Sequence, residues 1–318
     1  MEQPFEGKDL MTSHGRILCL VLGLLPFAAA HADPDSPEKQ ECKQEEAQKG
    51  SGPVASSVAC AIKVIFQNRI RRRKDTEPVE MTVGSPPMVS DDTETPGPNN
   101  WEINLTFDGD LAGSERRFET PLFDVNYGVG DRLQFKYEVP YVFDRRAETT
   151  PGGGSTIASA HGFGDSNFGV KYRFYDNNDT GLSFAIYPQV EFRTPWGSKD
   201  VSEGETVFVM PVILTKEFEH ASITANAGVE AHPGGERRYF ASFGVGKRLT
   251  DHVALLAEIA GNNLNATDEK HALLNFGLRR KISETQSISG ALGRDVYAGG
   301  DQLRHTYFTL SYQKLFGK

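Results

Sequence analysis

Four histidines and one serine are the residues of this chain best suited to carry chemistry. His161, His232, His271 and His305 are each able to ligate zinc, or to act as a general base beside a nucleophile such as Ser166. They lie far apart in the sequence, and neither metal-ligand spacing nor a nucleophile motif connects them. The sequence also lacks a phosphate-binding loop and a nucleotide-binding fingerprint. We therefore expect no catalytic residue, no metal site and no cofactor.

Charged and amide side chains occur instead at every second position of otherwise apolar segments. In residues 162–174, GFGDSNFGVKYRF, Phe168 and Val170 alternate with Lys171 and Arg173. Successive side chains of a β-strand point to opposite faces, so such a strand has one apolar and one charged face. The polar faces predict the following lining of an enclosed lumen: Lys136, Glu138, Asp165, Asn167, Lys171, Arg173, Gln189, Glu191, Arg193, Asn226, Glu230, Glu258, Asn275 and Arg279. Charges in so narrow a space must be paired or hydrated.

The elements that position these side chains are strands with a period of two. The alternation is clear at 101–107, 133–141, 163–175, 182–192, 223–229, 253–259 and 272–278, and weaker at 117–127, 206–218, 238–248, 286–297 and 304–316. Together these segments predict about twelve strands, each near the length that crosses a bilayer when tilted.

The connections between the strands alternate between short and mostly longer ones. The short turns are 128–132, 176–181, 219–221, 249–252 and 281–285, and the longer links are 108–116, 144–162, 195–205, 232–237, 261–270 and 297–304. Outer-membrane barrels have short periplasmic turns and longer outer loops. We therefore predict an all-β fold, an antiparallel transmembrane β-barrel over residues 100–318 with periplasmic termini. A soluble, secreted two-sheet protein is the alternative, although it gives no reason for the loops to be sorted in this way.

The overall composition excludes two classes of protein. The net charge of −9 gives no sign of a nucleic-acid partner. No internal apolar run reaches the roughly 18 to 20 residues of a spanning helix, which excludes a helical membrane protein. The mean hydropathy of −0.43 is typical of a soluble chain, but it also suits a barrel because half of each barrel strand is polar.

The N-terminus predicts a secretory signal peptide over residues 1–32. Arg16 precedes a short apolar run, and Ala30-His31-Ala32 forms a small-x-small cleavage site before Asp33. Met11 is a second candidate start, because the ten residues before it are polar and add nothing to the signal. An N-terminal membrane anchor is the alternative.

Residues 33–99 predict a disordered periplasmic linker rather than a folded domain. They are rich in Pro, Gly, Ser and acidic residues and lack apolar periodicity. A short helix is predicted near 54–74; it either touches anionic lipid or a partner at its basic end, or is simply solvated there. Cys42 and Cys60 are able to pair in an oxidising compartment, but no pattern indicates that they do.

Four segments of the barrel resemble a known family. They are FDVNYGVGDRLQFKYEVPYV at 123–142, GFGDSNFGVKYRFYD at 162–176, LSFAIYPQVEF at 182–192 and VFVMPVILTKEF at 207–218. These segments are similar to the transporter-type outer-membrane β-barrels of the phenol-degradation meta-pathway family. The resemblance covers roughly residues 100–316. It implies a porin-like barrel in the outer membrane of a Gram-negative bacterium, passing or binding small solutes of hydrophobic or aromatic character.

The end of the chain predicts a further partner. Phe308, Leu310, Tyr312 and Phe316 share one face of the last strand, which resembles the C-terminal aromatic signature of bacterial outer-membrane barrels. That signature is read by the outer-membrane insertion machinery. The expected partners are this machinery, the lipid bilayer with its lipopolysaccharide, and an unidentified small solute.

Three functions remain open at this point. The first is a transporter-like channel with a narrow charged lumen. The second is a non-transporting structural or adhesion barrel whose lumen is plugged. The third is a lipid-modifying enzyme, which would need a catalytic constellation that the sequence lacks, so we expect the protein not to be an enzyme.

Overall fold

A computed structural model of the chain describes residues 89–149, 153–265, 270–300 and 302–317. Several predictions lie outside these ranges, namely the signal peptide of residues 1–32, the start at Met11, the linker up to residue 88, the helix near 54–74, and the pairing of Cys42 with Cys60.

The described residues form fourteen β-strands in one antiparallel sheet. In chain order the strands are β1 (Trp101–Ala112), β2 (Glu115–Val129), β3 (Leu133–Thr149), β4 (Ser155–Phe163), β5 (Ser166–Asn177), β6 (Leu182–Ile186), β7 (Gln189–Phe192), β8 (Val207–Glu217), β9 (Ala221–Ala231), β10 (Arg237–Thr250), β11 (Val253–Asn262), β12 (His271–Ser283), β13 (Gln286–Ala298) and β14 (Thr306–Phe316). A single 3₁₀ turn, Pro233–Gly235, lies between β9 and β10. In this part of the chain, no helix is long and apolar enough to cross a membrane.

The sheet closes into a barrel because its first strand pairs with its last. β1 and β14 run antiparallel from the pair Trp101 and Phe316 to the pair Leu111 and Thr306. β4 and β5 both pair with β3, and β6 and β7 both lie between β5 and β8, so each of these two pairs is one interrupted barrel strand. The result is a closed antiparallel barrel of twelve strands, which confirms the prediction. A closed barrel leaves no unpaired strand edge.

A proline causes the interruption between β6 and β7. Pro188 has no N–H to donate to the strand ladder. Its carbonyl still accepts a 3.0 Å hydrogen bond from the N–H of Val170, and the N–H of Tyr187 donates to the carbonyl of Pro211 at 3.1 Å. These two bonds keep β6 and β7 in line, so the barrel wall stays continuous.

The two faces of the barrel wall differ in polarity. On β5, Phe168 and Phe174 are exposed on the outer face, whereas the side chain of Lys171 is buried on the inner face. The same contrast holds on β11, where Leu255 is exposed and Glu258 is buried. An apolar belt around a closed barrel is the surface that a bilayer requires.

Two of the predicted outer loops are mostly strand. β1 and β2 leave only two residues, 113–114, for the link predicted at 108–116, and β3 and β4 extend far into the segment predicted as a loop at 144–162. These loop predictions are wrong because large apolar side chains are few in the extensions, as at the paired positions Asp108 and Glu119. Backbone pairing continues there without the apolar alternation by which a strand is detected.

Candidate functional site

The lumen of the barrel is occupied by the residues that directly precede β1. We call residues 89–95 the inner segment. It forms hydrogen bonds with inward-facing side chains of consecutive barrel strands, namely Ser183 of β6, Thr215 of β8, Asn226 of β9, Ser242 of β10 and Glu258 of β11. The prediction of a disordered linker is therefore wrong for residues 89–99, because the barrel supplies the polar partners that this stretch cannot find within itself.

Side chains of the barrel satisfy the backbone of the inner segment. The amide side chain of Asn226 accepts a hydrogen bond from the N–H of Asp91 at 3.0 Å and donates one to the carbonyl of Asp91 at 2.8 Å. The carboxylate of Glu258 accepts the N–H of Ser90 at 2.9 Å, and the hydroxyl of Ser90 donates to that of Ser242 at 2.8 Å. Buried backbone groups need such partners, so the inner segment is held in one defined path.

Two cations of β5 hold the acidic side chains of the inner segment. The Nζ of Lys171 lies 2.6 Å from Oδ1 of Asp91 and 3.9 Å from Oδ1 of Asp92. Arg173 donates to Glu94 at 2.8 Å and to the carbonyl of Asp131 at 2.7 Å. The Lys171 side chain is only 4% exposed, so its charge depends on these carboxylates.

The buried ring of Tyr187 completes the pocket around Lys171. Its centroid lies 5.0 Å from the Nζ of Lys171, within the range of a cation–π contact. Gly169 on β5 leaves room for the ring, because a Cβ at that position would lie 2.7 Å from a ring carbon. Ala185 and Ile213 pack beside Tyr187 as a small buried apolar cluster inside the barrel.

The inner segment is anchored at the end of the barrel that carries the short turns. The N–H of Asn99 donates to the carbonyl of Gly128 at 2.9 Å, and the N–H of Gly128 donates to the carbonyl of Asn100 at 3.0 Å. A Cβ on Gly128 would overlap the carbonyl of Gly97, so this close approach requires glycine. Thr95 donates to the carbonyl of Asp131 in the β2–β3 turn at 3.2 Å.

Four other predicted lining residues form two pairs with one another. The Nζ of Lys136 lies 2.5 Å from Oε2 of Glu138 and 3.8 Å from Oδ2 of Asp124. Asn167 donates to Gln189 at 3.1 Å.

Two further predicted residues belong to the wall around Glu258. Asn275 donates to the carboxylate of Glu258 at 3.3 Å. Arg279, on the same strand, interacts electrostatically with Asp92 and Glu102. Both residues therefore belong to the charge network that includes the inner segment.

A second group of predicted residues lies at the opposite end of the barrel. Asp165 accepts hydrogen bonds from the hydroxyl of Ser202 and, at 2.8 Å, from the N–H of Glu203. Arg193 donates to the same Ser202 hydroxyl at 3.3 Å. These contacts fasten the loop between β7 and β8, so Asp165 and Arg193 act on that loop and not on the inner segment.

The last two predicted residues of this group are acidic. Glu230 lies 3.7 Å from the Nε2 of His232. Glu191 stands opposite Asn167 in the pairing of β5 with β7.

A pocket of about 370 Å³ lies beyond the inner segment, toward the end opposite the short turns. Val89 contributes to its lining, together with Asp108, Asp110 and Asp295 from the barrel wall. Sequence reasoning missed these residues and the acidic side chains of the inner segment. The need of Lys171 and Arg173 for acidic partners was a signal in the sequence, but it does not say where along the chain those partners lie.

The described residues contain no arrangement typical of a metal centre. Among them, no group of three or more His, Cys, Asp or Glu side chains is placed to hold a metal ion. The hydroxyl of Ser166 is hydrogen-bonded to Thr194 at 2.7 Å and to Tyr137 at 2.9 Å. What the lumen offers chemically is a network of charges and hydrogen bonds around the inner segment.

Comparison with solved structures shows the same kind of fold. An outer membrane channel from Pseudomonas putida F1 is similar with a TM-score of 0.54 and 12% identity, covering 71% of this chain and 98% of that one. The KdgM porin in complex with disordered oligogalacturonate has a TM-score of 0.47 and 10% identity, covering 68% of this chain and 100% of that one. The CymD monoaromatic hydrocarbon channel has a TM-score of 0.38 and 10% identity, covering 70% of this chain and 90% of that one.

Comparison of sequences identifies the family. No curated protein matches this chain in sequence. Residues 103–300 match the family described as "Putative MetA-pathway of phenol degradation". This range is more than half of the chain, and it includes the four segments that carried the resemblance. The protein therefore belongs to the MetA-pathway phenol-degradation family, as the resemblance predicted.

Proposed function

We propose that this protein is an outer-membrane channel for small solutes, and that the inner segment closes its lumen in a reversible way. The observation that carries the proposal is the chemistry of the closure. The inner segment is held mainly by hydrogen bonds and ion pairs to polar side chains, each of which water can replace. Each neutral hydrogen bond stabilises the closed state by a net of only about 0.5 to 1.5 kcal/mol, because water takes the place of the lost partner when the segment leaves. Such a closure is therefore reversible.

The wall left behind by a departing inner segment is suited to water. Lys171, Arg173, Asn226 and Glu258 would then line an open path and be hydrated. A closure made by apolar packing would leave a dry wall that water enters poorly.

The proposal extends to location and solute. The barrel lies in the outer membrane of a Gram-negative bacterium, with the short turns and both termini on the periplasmic side and the longer loops among lipopolysaccharide. The insertion machinery reads the aromatic face of β14. The family description supports small aromatic or hydrophobic solutes, and the membership of the chain in that family supports transfer of this class.

Transport is favoured over catalysis by the surroundings of the best candidate nucleophile. Ser166 is fully buried. Its hydroxyl is hydrogen-bonded to the hydroxyl groups of Tyr137 and Thr194, and not to a histidine. A serine without a base is a poor nucleophile.

A plugged structural barrel is the second candidate function. The ion pairs between the wall and the inner segment favour it, because Lys171 with Asp91 and Arg173 with Glu94 both stabilise the closed state. The two functions differ in whether the inner segment can leave.

A disulfide that fixes the inner segment to the wall separates the two functions. The hydroxyl oxygens of Ser90 and Ser242 are 2.8 Å apart, so the double substitution Ser90→Cys and Ser242→Cys brings two thiols into bonding range. Cys42 and Cys60 are replaced by serine to prevent other pairings. We expect the reduced protein to admit small sugars into proteoliposomes, and the oxidised protein to exclude them.

The control is the single Ser242→Cys variant, which has no partner thiol in the barrel and should be insensitive to oxidation. Equal uptake by the oxidised and reduced double variants would show that the inner segment does not close the path. No uptake by either form of a correctly inserted barrel would favour the structural function.

A further inference from the structure

The pocket beyond the inner segment is a defined cavity inside the barrel. We call it the distal pocket; its lining includes Val89, Asp108, Asp110, Glu119 and Asp295. Its volume of about 370 Å³ falls within the range of roughly 300 to 1,000 Å³ typical of small-molecule sites. A ring-sized molecule fits this space.

The wall of the distal pocket contains a buried carboxylate with an unused oxygen. Asp295 on β13 is 1% exposed. Its Oδ2 accepts the N–H of His305 at 2.9 Å and lies 3.3 Å from Nδ1 of His271. Its Oδ1 has no hydrogen-bond partner among the residues that the structure describes. A buried acceptor without a donor is costly, so this oxygen calls for a ligand that carries an N–H or O–H group.

The charge of the distal pocket selects between the possible donors. Four carboxyl groups line it, those of Asp108, Asp110, Glu119 and Asp295, and Arg117 is the guanidinium among its lining residues. That guanidinium is already paired with Glu119 at 3.2 Å. If His271 and His305 beside Asp295 were both protonated, they and Arg117 would make three cations against the four carboxylates. The distal pocket is therefore suited to a positively charged guest and opposed to a carboxylate.

The remaining lining suits an apolar body. Ala260, Leu273 and Ala291 contribute short aliphatic side chains, and Val89 of the inner segment adds another. Tyr307 supplies an aromatic ring, which stacks on His305 with centroids 5.7 Å apart. An aromatic face next to carboxylates is a combination that also favours organic cations.

We propose that the distal pocket binds a small organic cation, an amine with an apolar or aromatic body whose ammonium group donates a hydrogen bond to Oδ1 of Asp295. This inference rests on the proposed function in one respect, that the pocket is where a solute enters the channel. It adds a class of ligand and a residue that selects it.

Three probes with nearly the same body and different head groups test the proposal. Benzylammonium, benzyl alcohol and benzoate are titrated calorimetrically into the full-length protein in detergent. We expect benzylammonium to bind at least about tenfold more tightly than benzyl alcohol, because a hydrogen bond between charged groups is stronger than one to a neutral hydroxyl. We expect no binding of benzoate.

Substitution of Asp295 tests the role assigned to it. Asp295→Asn should lower the affinity for benzylammonium by at least about tenfold. Asp251→Asn removes an exposed carboxylate from the turn between β10 and β11 at the other end of the barrel, and should leave the affinity unchanged. Should Asp295→Asn fail to fold, as judged by heat-modifiable migration in gels, Asp108→Asn decides the question with an expected loss of several-fold.

The outcomes separate this inference from the proposed function. Equal affinity for benzoate and benzylammonium would overturn the inference. An affinity for benzylammonium that neither Asp295→Asn nor Asp108→Asn changes would also overturn it. Binding of benzylammonium by a barrel that admits no solute into proteoliposomes would support the site and refute the channel. Solute uptake without binding of benzylammonium would support the channel and refute the site.

Discussion

Removing the charge of Asp91 should release the inner segment without removing any part of the barrel wall. In Asp91→Asn the residue keeps its size, and its backbone keeps both hydrogen bonds with Asn226. The change is confined to the 2.6 Å contact between its carboxylate and the Nζ of Lys171. Because the inner segment precedes β1, strand pairing is unaffected.

The size of the effect follows from the surroundings of this ion pair. A hydrogen bond between charged groups contributes about 1.5 to 3 kcal/mol. The Lys171 side chain is buried, which favours the upper end, whereas Asp91 is 36% exposed and Asp92 retains some attraction at 3.9 Å, which favours the lower end. We expect a loss of about 2 kcal/mol, which corresponds to an approximately thirtyfold rise in the ratio of released to bound inner segment.

Single-channel recording in planar bilayers measures this ratio as the time that a channel spends open divided by the time that it spends closed. Asp91→Asn should raise the ratio of open to closed time by about thirtyfold, and Asp92→Asn, its neighbour in sequence, by less than about threefold because of the longer distance. Combining Asp91→Asn with Lys171→Gln removes both charges, so the open fraction should fall back toward that of the unaltered protein.

Two results would refute this reasoning. An unchanged open fraction in a correctly inserted Asp91→Asn barrel would mean that the ion pair does not hold the inner segment. An equal effect of Asp92→Asn would mean that the net charge of the segment matters, and not the short contact with Lys171.

The remaining predictions concern the two faces of the barrel, its packing and its orientation. Val170→Arg should destabilise the inserted barrel by roughly 2 to 4 kcal/mol, whereas Asn167→Arg, on the inner face of the same strand, should cost less and alter ion preference; folding titrations into lipid measure both, and a reversed order would contradict the assignment of faces. Gly169→Ala should cost about 1 to 3 kcal/mol because its Cβ would lie 2.7 Å from a buried tyrosine ring, and Gly290→Ala, with 3.5 Å to the nearest atom, should be tolerated in the same heat-denaturation assay. A protease site inserted at Gly153 should be cleaved on intact cells, and one in the short turn between β5 and β6 should not; the opposite pattern would invert the topology.

The barrel was predictable from the sequence because lipid and lumen impose opposite polarity on successive residues. The alternation in β3, where Phe135 is exposed outside and Lys136 is paired inside, is visible in a single segment. All twelve barrel strands carry some form of this pattern. Where large apolar residues are few, as at the connected ends of β1 and β2, the pattern is weak although the pairing continues.

The inner segment was not predictable, because its stabilisation is mainly non-local. Asp91 finds its cation at Lys171, 80 residues away, and its amide partner at Asn226, 135 residues away. Locally, residues 89–99 have the composition of a linker. The distal pocket was missed for a similar reason, since Asp110 and His305 meet across 195 residues.

The seam between β1 and β14 also sets the order in which the molecule assembles. Its two strands join residues as distant as Trp101 and Phe316, which are 215 positions apart, whereas the other barrel strands pair with sequence neighbours. Closing so long a loop is slow compared with forming hairpins. The inner segment is joined to β1 by residues 96–100, and no enclosed lumen exists before the seam forms. A barrel that has closed without the inner segment would therefore have to take the segment in from one end.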